Sequence, residues 1–170
     1  MLLINIASND FKVKNISLSD LVDVLNFINE DSDNLLSIGY DKKINLEFIK
    51  EKYMESLVDP LEFFCGIYKE DEMLGILKGR LENKGVLEVW FLTYILKKSF
   101  RRLGLGSYIL KLVEDYLKFQ YNVLKYYAIV SIDNEKSIKF WIKNGYIIER
   151  TSEYFKLNDK PVNILMKGVK

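Results

Sequence analysis

Apolar and polar residues alternate over residues 11–16, the period of a half-buried strand. Ser17 to Asp20 then has the spacing of a capping box ahead of Leu21, Val22, Leu25 and Ile28, which recur at the helical period. A second helical pattern, Leu46, Ile49, Tyr53, Met54 and Leu57, follows Asn45 and stops before Asp59-Pro60, because the residue ahead of a proline is driven out of the helical region. Residues 62–68 and 73–81 are β-rich runs separated by an acidic turn, and Gly85 divides the second from residues 86–96. In this third run Val86, Trp90, Leu92 and Leu96 point one way and Leu87, Val89, Phe91 and Ile95 the other, so both faces are apolar and the strand is expected to be central.

After Gly104 a helix is predicted from Leu105, Ile109, Leu112, Val113, Tyr116 and Leu117, and residues 124–132 return to a strand. Asn134 is placed to cap a last helix carrying Ile138, Trp141 and Ile142, with Gly145 as its terminator, ahead of strands near 146–157 and 162–166. The order β-α-α-β-β-β-α-β-α-β-β specifies an α/β (α+β) fold with a mixed, mostly antiparallel central sheet flanked by helices. No linker, repeat or low-complexity tract interrupts it. A single domain is expected over 11–170, with 1–10 as an N-terminal extension.

Composition narrows the chemistry. A chain of 170 residues with 49% hydrophobic and 29% charged residues is expected to bury one continuous core without disulfides or a structural metal. Its formal net charge of +1 gives no global field for a polyanion, so nucleic acid is not an expected partner. The opening Met1-Leu-Leu-Ile-Asn-Ile lacks the basic start of a signal peptide and is too short for a membrane span, so a cytoplasmic protein with no membrane partner is expected. Cys65, the only cysteine, lies in an apolar run with no cation near it in sequence and reads as a small buried hydrophobe. Histidine is absent, which removes serine–histidine and cysteine–histidine pairs and most zinc sites. Carboxylates, tyrosines, lysines, hydroxyls and the backbone remain.

The segment from Lys97 to Ser107 joins a central strand to a helix and gathers Lys97, Lys98, Arg101 and Arg102 with Gly104 and Gly106 at the helix start. Free N–H groups at a helix N-terminus favour an anion, and glycine lets it approach the backbone. The alternative is a solvated basic turn that the glycines merely shape. The segment lacks the spacing of a mononucleotide loop, and Ile109 stands where a dinucleotide loop needs its third glycine.

Arg101-x-x-Gly104-x-Gly106 resembles the Q/R-x-x-G-x-G/A pyrophosphate loop of the GNAT acetyltransferases. Downstream, Asn134-Glu-Lys-Ser137-Ile-Lys-Phe-Trp141-Ile-Lys143-Asn-Gly145-Tyr146 is similar to that family's N-x-x-A/S-x-x-F/L-Y-x-K-x-G-F/Y segment, and the order of elements agrees along nearly the whole chain. Ser137 resembles the serine of the N-x-x-S variant found in the branch that acetylates ribosomal-protein N-termini, to which the chain is somewhat similar.

That resemblance implies an N-acetyltransferase that uses acetyl-CoA as co-substrate and no metal. The acceptor would be a small-molecule amine or a protein or peptide N-terminus, and the state a monomer or homodimer. It implies that the pantetheine arm pairs with exposed backbone around Ile95, Leu96 and Lys97, and that amides of Arg101, Arg102, Leu103, Gly104, Leu105, Gly106 and Ser107 hold the pyrophosphate. Asn134 would contact the pantetheine or cap its helix. Trp141 occupies the position of the family's tyrosine acid. An indole N–H donates a hydrogen bond but is not a practical acid, so Ser137 or water would serve the departing thiolate, and core packing is the alternative for Trp141. Glu88, the only charge on the 86–96 strand, is the candidate general base, sharing a face with Trp90 and Tyr94, unless it faces solvent at the strand end. Tyr94 is the reserve, as a hydroxyl lining the acceptor or relaying through water. Asp31, Asp33 and Asp41 lie in a stretch read as a loop beside the acceptor, where they either attract a cationic amine or are simply solvated. Two other functions remain open: an acyl-CoA-binding module with weak or no activity, and a cofactor-free partner-binding domain.

Overall fold

The computed structural model describes residues 1–8 and 10–168. Eight strands form one sheet: β1 (Asn5–Ala7), β2 (Lys12–Asn15), β3 (Glu62–Lys69), β4 (Glu72–Asn83), β5 (Leu87–Leu96), β6 (Lys125–Ser131), β7 (Ile147–Leu157) and β8 (Lys160–Gly168). Their spatial order is β1-β2-β3-β4-β5-β6-β8-β7. Among the described residues only β5 and β6 run parallel. That pair needs a crossover, which the 17-residue helix α4 (Leu105–Tyr121) supplies. The other helices are α1 (Leu21–Glu30), α2 (Ser32–Ser37), α3 (Leu46–Val58) and α5 (Glu135–Lys143). Among the described residues no helix is long and apolar enough to cross a membrane.

The helices cover opposite faces of the sheet. On one face Ile109, Leu110, Val113 and Leu117 of α4 and Trp141 of α5 pack on Phe63, Phe91, Tyr126, Ala128 and Leu165. On the other, Val24, Phe27, Ile49 and Tyr53 of α1 and α3 pack on Phe64, Ile76 and Ile95. Each valine, leucine, isoleucine or phenylalanine among these, taken fully out of water, stabilises the fold by about 1.5–3 kcal/mol. Cys65 is buried as expected, and burial pushes its thiol pKa up, which leaves it neutral and inert.

Three features differ from the sequence reading. The stretch 1–10, expected as an extension, contributes β1, which pairs with β2 and buries Ile4 and Ile6 in the core, while Asn9 lies outside the described residues. The segment after α1, read as a loop, starts with α2, because the Asp31 side chain accepts from the Asp33 N–H and caps a further turn. Finally, β5 is not a uniform strand. Phe91 pairs with Gly79 and Thr93 with Lys78, so Leu92 is an extra residue with no partner on β4. This β-bulge reverses the alternation beyond it. Glu88, Trp90, Thr93 and Ile95 share one face, opposite Glu82, Arg80, Lys78 and Ile76, whereas Val89, Phe91, Tyr94 and Leu96 share the other.

Candidate active site

The bulge marks the place where the sheet opens. Pairing between β5 and β6 runs from Glu88–Lys125 to Phe91–Ala128 and ends there, while β6 stays paired with β8 to Ser131–Val162. Past Phe91 the two parallel strands diverge. Between them lies a narrow cleft of about 30 Å³, lined by Leu92, Thr93 and Tyr94 of β5, Ile129 to Ser131 of β6, and Asn134, Ser137 and Trp141 at α5. Leu36 and Ser37 of α2 and Leu157 of β7 line it as well.

Backbone direction on β5 follows from its partners. The Lys97 N–H donates to the Leu74 carbonyl at 2.7 Å, and Ile95 lies opposite Ile76, so the polar groups of Ile95 and the Lys97 N–H turn toward β4. Successive residues of a strand point their polar groups to opposite sides, so those of Tyr94 and Leu96 turn toward the opening. Of Ile95, Leu96 and Lys97, expected together as the exposed edge, only Leu96 has its N–H free on that side. Its carbonyl already accepts from Arg101 Nε at 2.7 Å.

The loop that follows turns back over this opening. Arg102 and Gly104 have φ of 64° and 82°, left-handed values that glycine adopts without strain and arginine does not. A Cβ on Gly104 would meet nothing within 4 Å, so glycine is needed there for its φ and not for space. At Gly106 a Cβ would approach Phe140 to 3.1 Å, so there the need is close packing between α4 and α5. The N–H groups of Arg102 through Ser107 donate to no described residue. The first bond of the helix is Tyr108 N–H to the Gly104 carbonyl, at 3.1 Å. Six successive amides, two left-handed residues and a helix N-terminus make a cradle for an anion. The Arg101 side chain is not part of it. Besides Leu96, its guanidinium donates to Asn34 Oδ1 and lies 3.5 Å from Asp31 and 3.7 Å from Asp33.

Of the two roles expected for Asn134, the structure shows the helix cap. Its Oδ1 accepts from the Ser137 N–H at 3.0 Å and caps α5, and the residue lines the cleft with Nδ2 making no hydrogen bond to a described residue. Ser137 lines the same wall with its hydroxyl free of described partners. Trp141 is 4% exposed and packs against Phe91, Tyr94, Phe140 and Tyr146, with ring centroids 4.7–6.2 Å away. It is the floor of the cleft and part of the core. The Tyr94 hydroxyl donates to the Gly106 carbonyl at 2.8 Å, and burial raises its pKa far above the neutral range. Its phenol fastens the first turn of α4 to β5 rather than facing an acceptor.

Glu88 does not reach this site. It sits at the start of β5, four residues before Leu92, which is roughly 13 Å at about 3.3 Å per residue. There it is 4% exposed, 3.4 Å from Lys125 Nζ, and on the sheet face opposite Tyr94. The residue expected as base thus lies away from the cleft, which opens at the other end of the strand. Asp31 and Asp33 are neutralised by Arg101 and, for Asp33, by Lys136 at 3.1 Å, while Asp41 is exposed. The sequence reading missed Thr93, Ser131, Leu36, Ser37 and Leu157 as cleft residues and Asn34 as the anchor of Arg101. Only α2 left a local signal, the capping Asp31.

The sequence over residues 13–166 matches the family model described as an acetyltransferase (GNAT) domain. No curated protein matches at a comparable level of significance. Among solved structures, the chain is similar to the acetyltransferase from Salmonella typhimurium that modifies the N-terminal serine of ribosomal protein L7/L12, with a TM-score of 0.81, 16% identity and coverage of 96% and 97% of the two chains. A ribosomal L7/L12 α-N-protein acetyltransferase in complex with coenzyme A gives a TM-score of 0.80 at 16% identity, covering 98% of each chain. The spermidine N-acetyltransferase from Vibrio cholerae with CoA and spermine gives 0.76 at 17% identity, over 95% and 96%. At such identities these likenesses speak for the fold, and the match of the family model across nearly the whole chain assigns the lineage: the protein belongs to the GNAT acetyltransferase family.

Proposed function

We propose that the chain moves an acetyl group from acetyl-CoA to a primary amine, by direct attack of the amine on the thioester carbonyl within a ternary complex. The observation that carries this reading is the juxtaposition of an unpaired amide run, 102–107, with a strand opening whose edge offers the Tyr94 and Leu96 backbone. The amide run suits a diphosphate, and the strand edge suits an extended amide-bearing arm that pairs as an added strand. Asn134 Nδ2 suits a further carbonyl of that arm. These are the features of a CoA thioester, and solved neighbours of the same fold hold CoA.

Holding both reactants in one narrow cleft supplies much of the rate enhancement. The departing thiolate, with a thiol-like pKa near 8.5, needs no strong acid. Ser137 is the side chain we assign to hydrogen-bond it, with Trp141 shaping the floor. A small amine and a protein or peptide N-terminus both fit the acceptor class at this level, in keeping with the neighbours named above. A cytoplasmic location belongs to the proposal, supported by the lone unpaired Cys65. The test is release of free CoA when acetyl-CoA is mixed with a panel of amines. Cofactor binding without turnover on any amine would favour a CoA-binding module instead, and absence of any acetyl-CoA-dependent thermal shift would reject both.

A further inference from the structure

Beyond Phe91 and Ala128 the pairing of β5 with β6 ceases, so the width of the opening is set by whatever joins its two sides. On the face covered by α4 and α5 that link is packing. A Cβ on Gly106 would stand 3.1 Å from Phe140, and the rings of Phe140 and Trp141 lie 5.7 and 6.2 Å from that of Tyr94. On the opposite face the link is electrostatic. Asp33 of α2 lies 3.7 Å from Nη1 of Arg101, in the turn after β5, and 3.1 Å from Nζ of Lys136, in the first turn of α5 after β6. Among the described residues it is the one carboxylate that meets a cation from each side of the opening.

The place of Asp33 follows from how α2 is held. Asp31 caps this six-residue helix, the buried Asn34 donates to the Phe27 carbonyl at 2.8 Å, and Leu35 is buried with Val24 of α1 and Ile49 of α3. At the other end Gly39 lies against the β7–β8 hairpin, where a Cβ would come within 3.1 Å of the Leu157 side chain and 3.4 Å of the Asn158 nitrogen. So short a helix has little stability of its own, and these tertiary contacts lay it beside the opening, with Leu36 and Ser37 lining the cleft. The cap belongs to Asp31, and the Ser37 hydroxyl donates to the backbone carbonyl of Asp33, so the Asp33 carboxylate is left to the two cations.

We infer that Asp33 is a positioning residue, which braces the strand opening through Arg101 on one side and Lys136 on the other and so fixes the spacing between the Leu96 edge and the wall of Asn134 and Ser137. The acetyltransferase reading enters only in the consequence, that a cofactor arm held from both sides is kept at reacting distance. Each pair is weak by itself, because all three side chains are partly exposed. One carboxylate shared between two cations still constrains a distance that no β5–β6 pairing controls.

The first measurement needs no cofactor. Spin labels go on two exposed positions of the intact chain, Lys98→Cys in the turn after β5 and Lys139→Cys on α5, while the buried Cys65 stays unlabelled. Pulsed electron paramagnetic resonance then gives the distance distribution between them with Asp33 present, in Asp33→Asn, in Asp33→Glu and in Lys136→Met. Asp33→Asn keeps the shape without the charge and is expected to widen the distribution. Lys136→Met removes the α5 half alone and should widen it as well, whereas Asp33→Glu keeps the charge and should leave it narrow. The second measurement is the rate at which CoA leaves, followed by tryptophan fluorescence because Trp141 floors the cleft. That rate should rise about two- to tenfold in Asp33→Asn, the range of two weak ion pairs. The difference should close between about 0.05 and 0.5 M salt, since screening removes the brace only from protein that has it.

An unchanged distribution in both Asp33→Asn and Lys136→Met, or one as wide in Asp33→Glu as in Asp33→Asn, would overturn the inference whatever CoA does. A widened distribution with an unchanged rate of CoA release would make Asp33 a structural tie and overturn its positioning role. A widened distribution in a chain that binds no CoA at all would keep the brace and reject the acetyltransferase reading instead.

Discussion

Arg101 Nε donates to the carbonyl of Leu96 at 2.7 Å and so ties the last residue of β5 to the turn that begins the anion cradle. The same guanidinium reaches Asn34 of α2 and Asp31, which caps that helix. One planar side chain thereby joins the loop after β5, the end of that strand and α2, through several donors where lysine offers a single point of charge.

Replacing Arg101 with Met is expected to cost about 1–3 kcal/mol of stability, because Asn34 is buried and loses a partner. Among Arg101→Met molecules that stay folded, the acceptor KM should rise more than the acetyl-CoA Kd, since the guanidinium makes no part of the amide cradle. Chemical denaturation, equilibrium binding and steady-state kinetics together check this. A loss confined to acetyl-CoA affinity would return Arg101 to the phosphate.

Gly104→Glu should lower acetyl-CoA affinity by at least about tenfold, through a strained left-handed glutamate of roughly 1–2 kcal/mol and a negative charge at the cradle. Gly104→Ala carries the strain without the charge and separates the two effects. The readout is the acetyl-CoA-dependent shift in Tm for each variant. Equal shifts in Gly104→Glu and the natural chain would mean that the amide run holds no phosphate.

Glu88→Gln is expected to leave kcat and its pH profile unchanged, because the carboxylate sits on Lys125 away from the cleft. Its stability cost should be within about 1 kcal/mol, the ordinary range for a pair whose lysine is solvent-exposed. A fall in kcat of tenfold or more, measured at saturating substrates, would restore it as the base.

Tyr94→Phe removes the hydroxyl held by the Gly106 carbonyl, for an expected loss of about 0.5–1.5 kcal/mol. Acetyl-CoA affinity should weaken as the first turn of α4 loosens, while the pH dependence of kcat stays the same. A pH limb that vanishes in Tyr94→Phe would instead give the phenol a proton-transfer role.

Alkaline stability follows from three phenols. Burial, the first cause in each, raises the pKa of Tyr94, Tyr126 and Tyr146, and the nearby Glu114 adds to it for the latter two. The folded chain keeps these protons beyond the unfolded value near 10, so the stabilisation is fully present below about pH 10 and is lost as pH rises above it. Tyrosinate absorbance of these residues should therefore appear together with unfolding, and not as a separate titration of the native protein.

The sequence by itself determined the helices and strands other than β1 and α2, the glycine-bearing loop at the start of α4 and the family likeness. These follow from local causes: apolar periods of 3.6 and 2, capping residues such as Asn45 and Asn134, and glycines at fixed offsets from a helix start. Only the tertiary structure decided the rest. A period-two pattern cannot reveal that Leu92 is an inserted residue, since the bulge is defined by which residues of β4 pair with it, and that one residue moved Tyr94 off the face of Glu88 and opened the sheet beyond Phe91. The side-chain hydrogen-bond partners of Arg101, Asn34 and Asp31, lie 67 and 70 positions away in sequence. Whether that guanidinium met a phosphate or closed the wall of a cleft depended on how α2 packs, which no local spacing encodes.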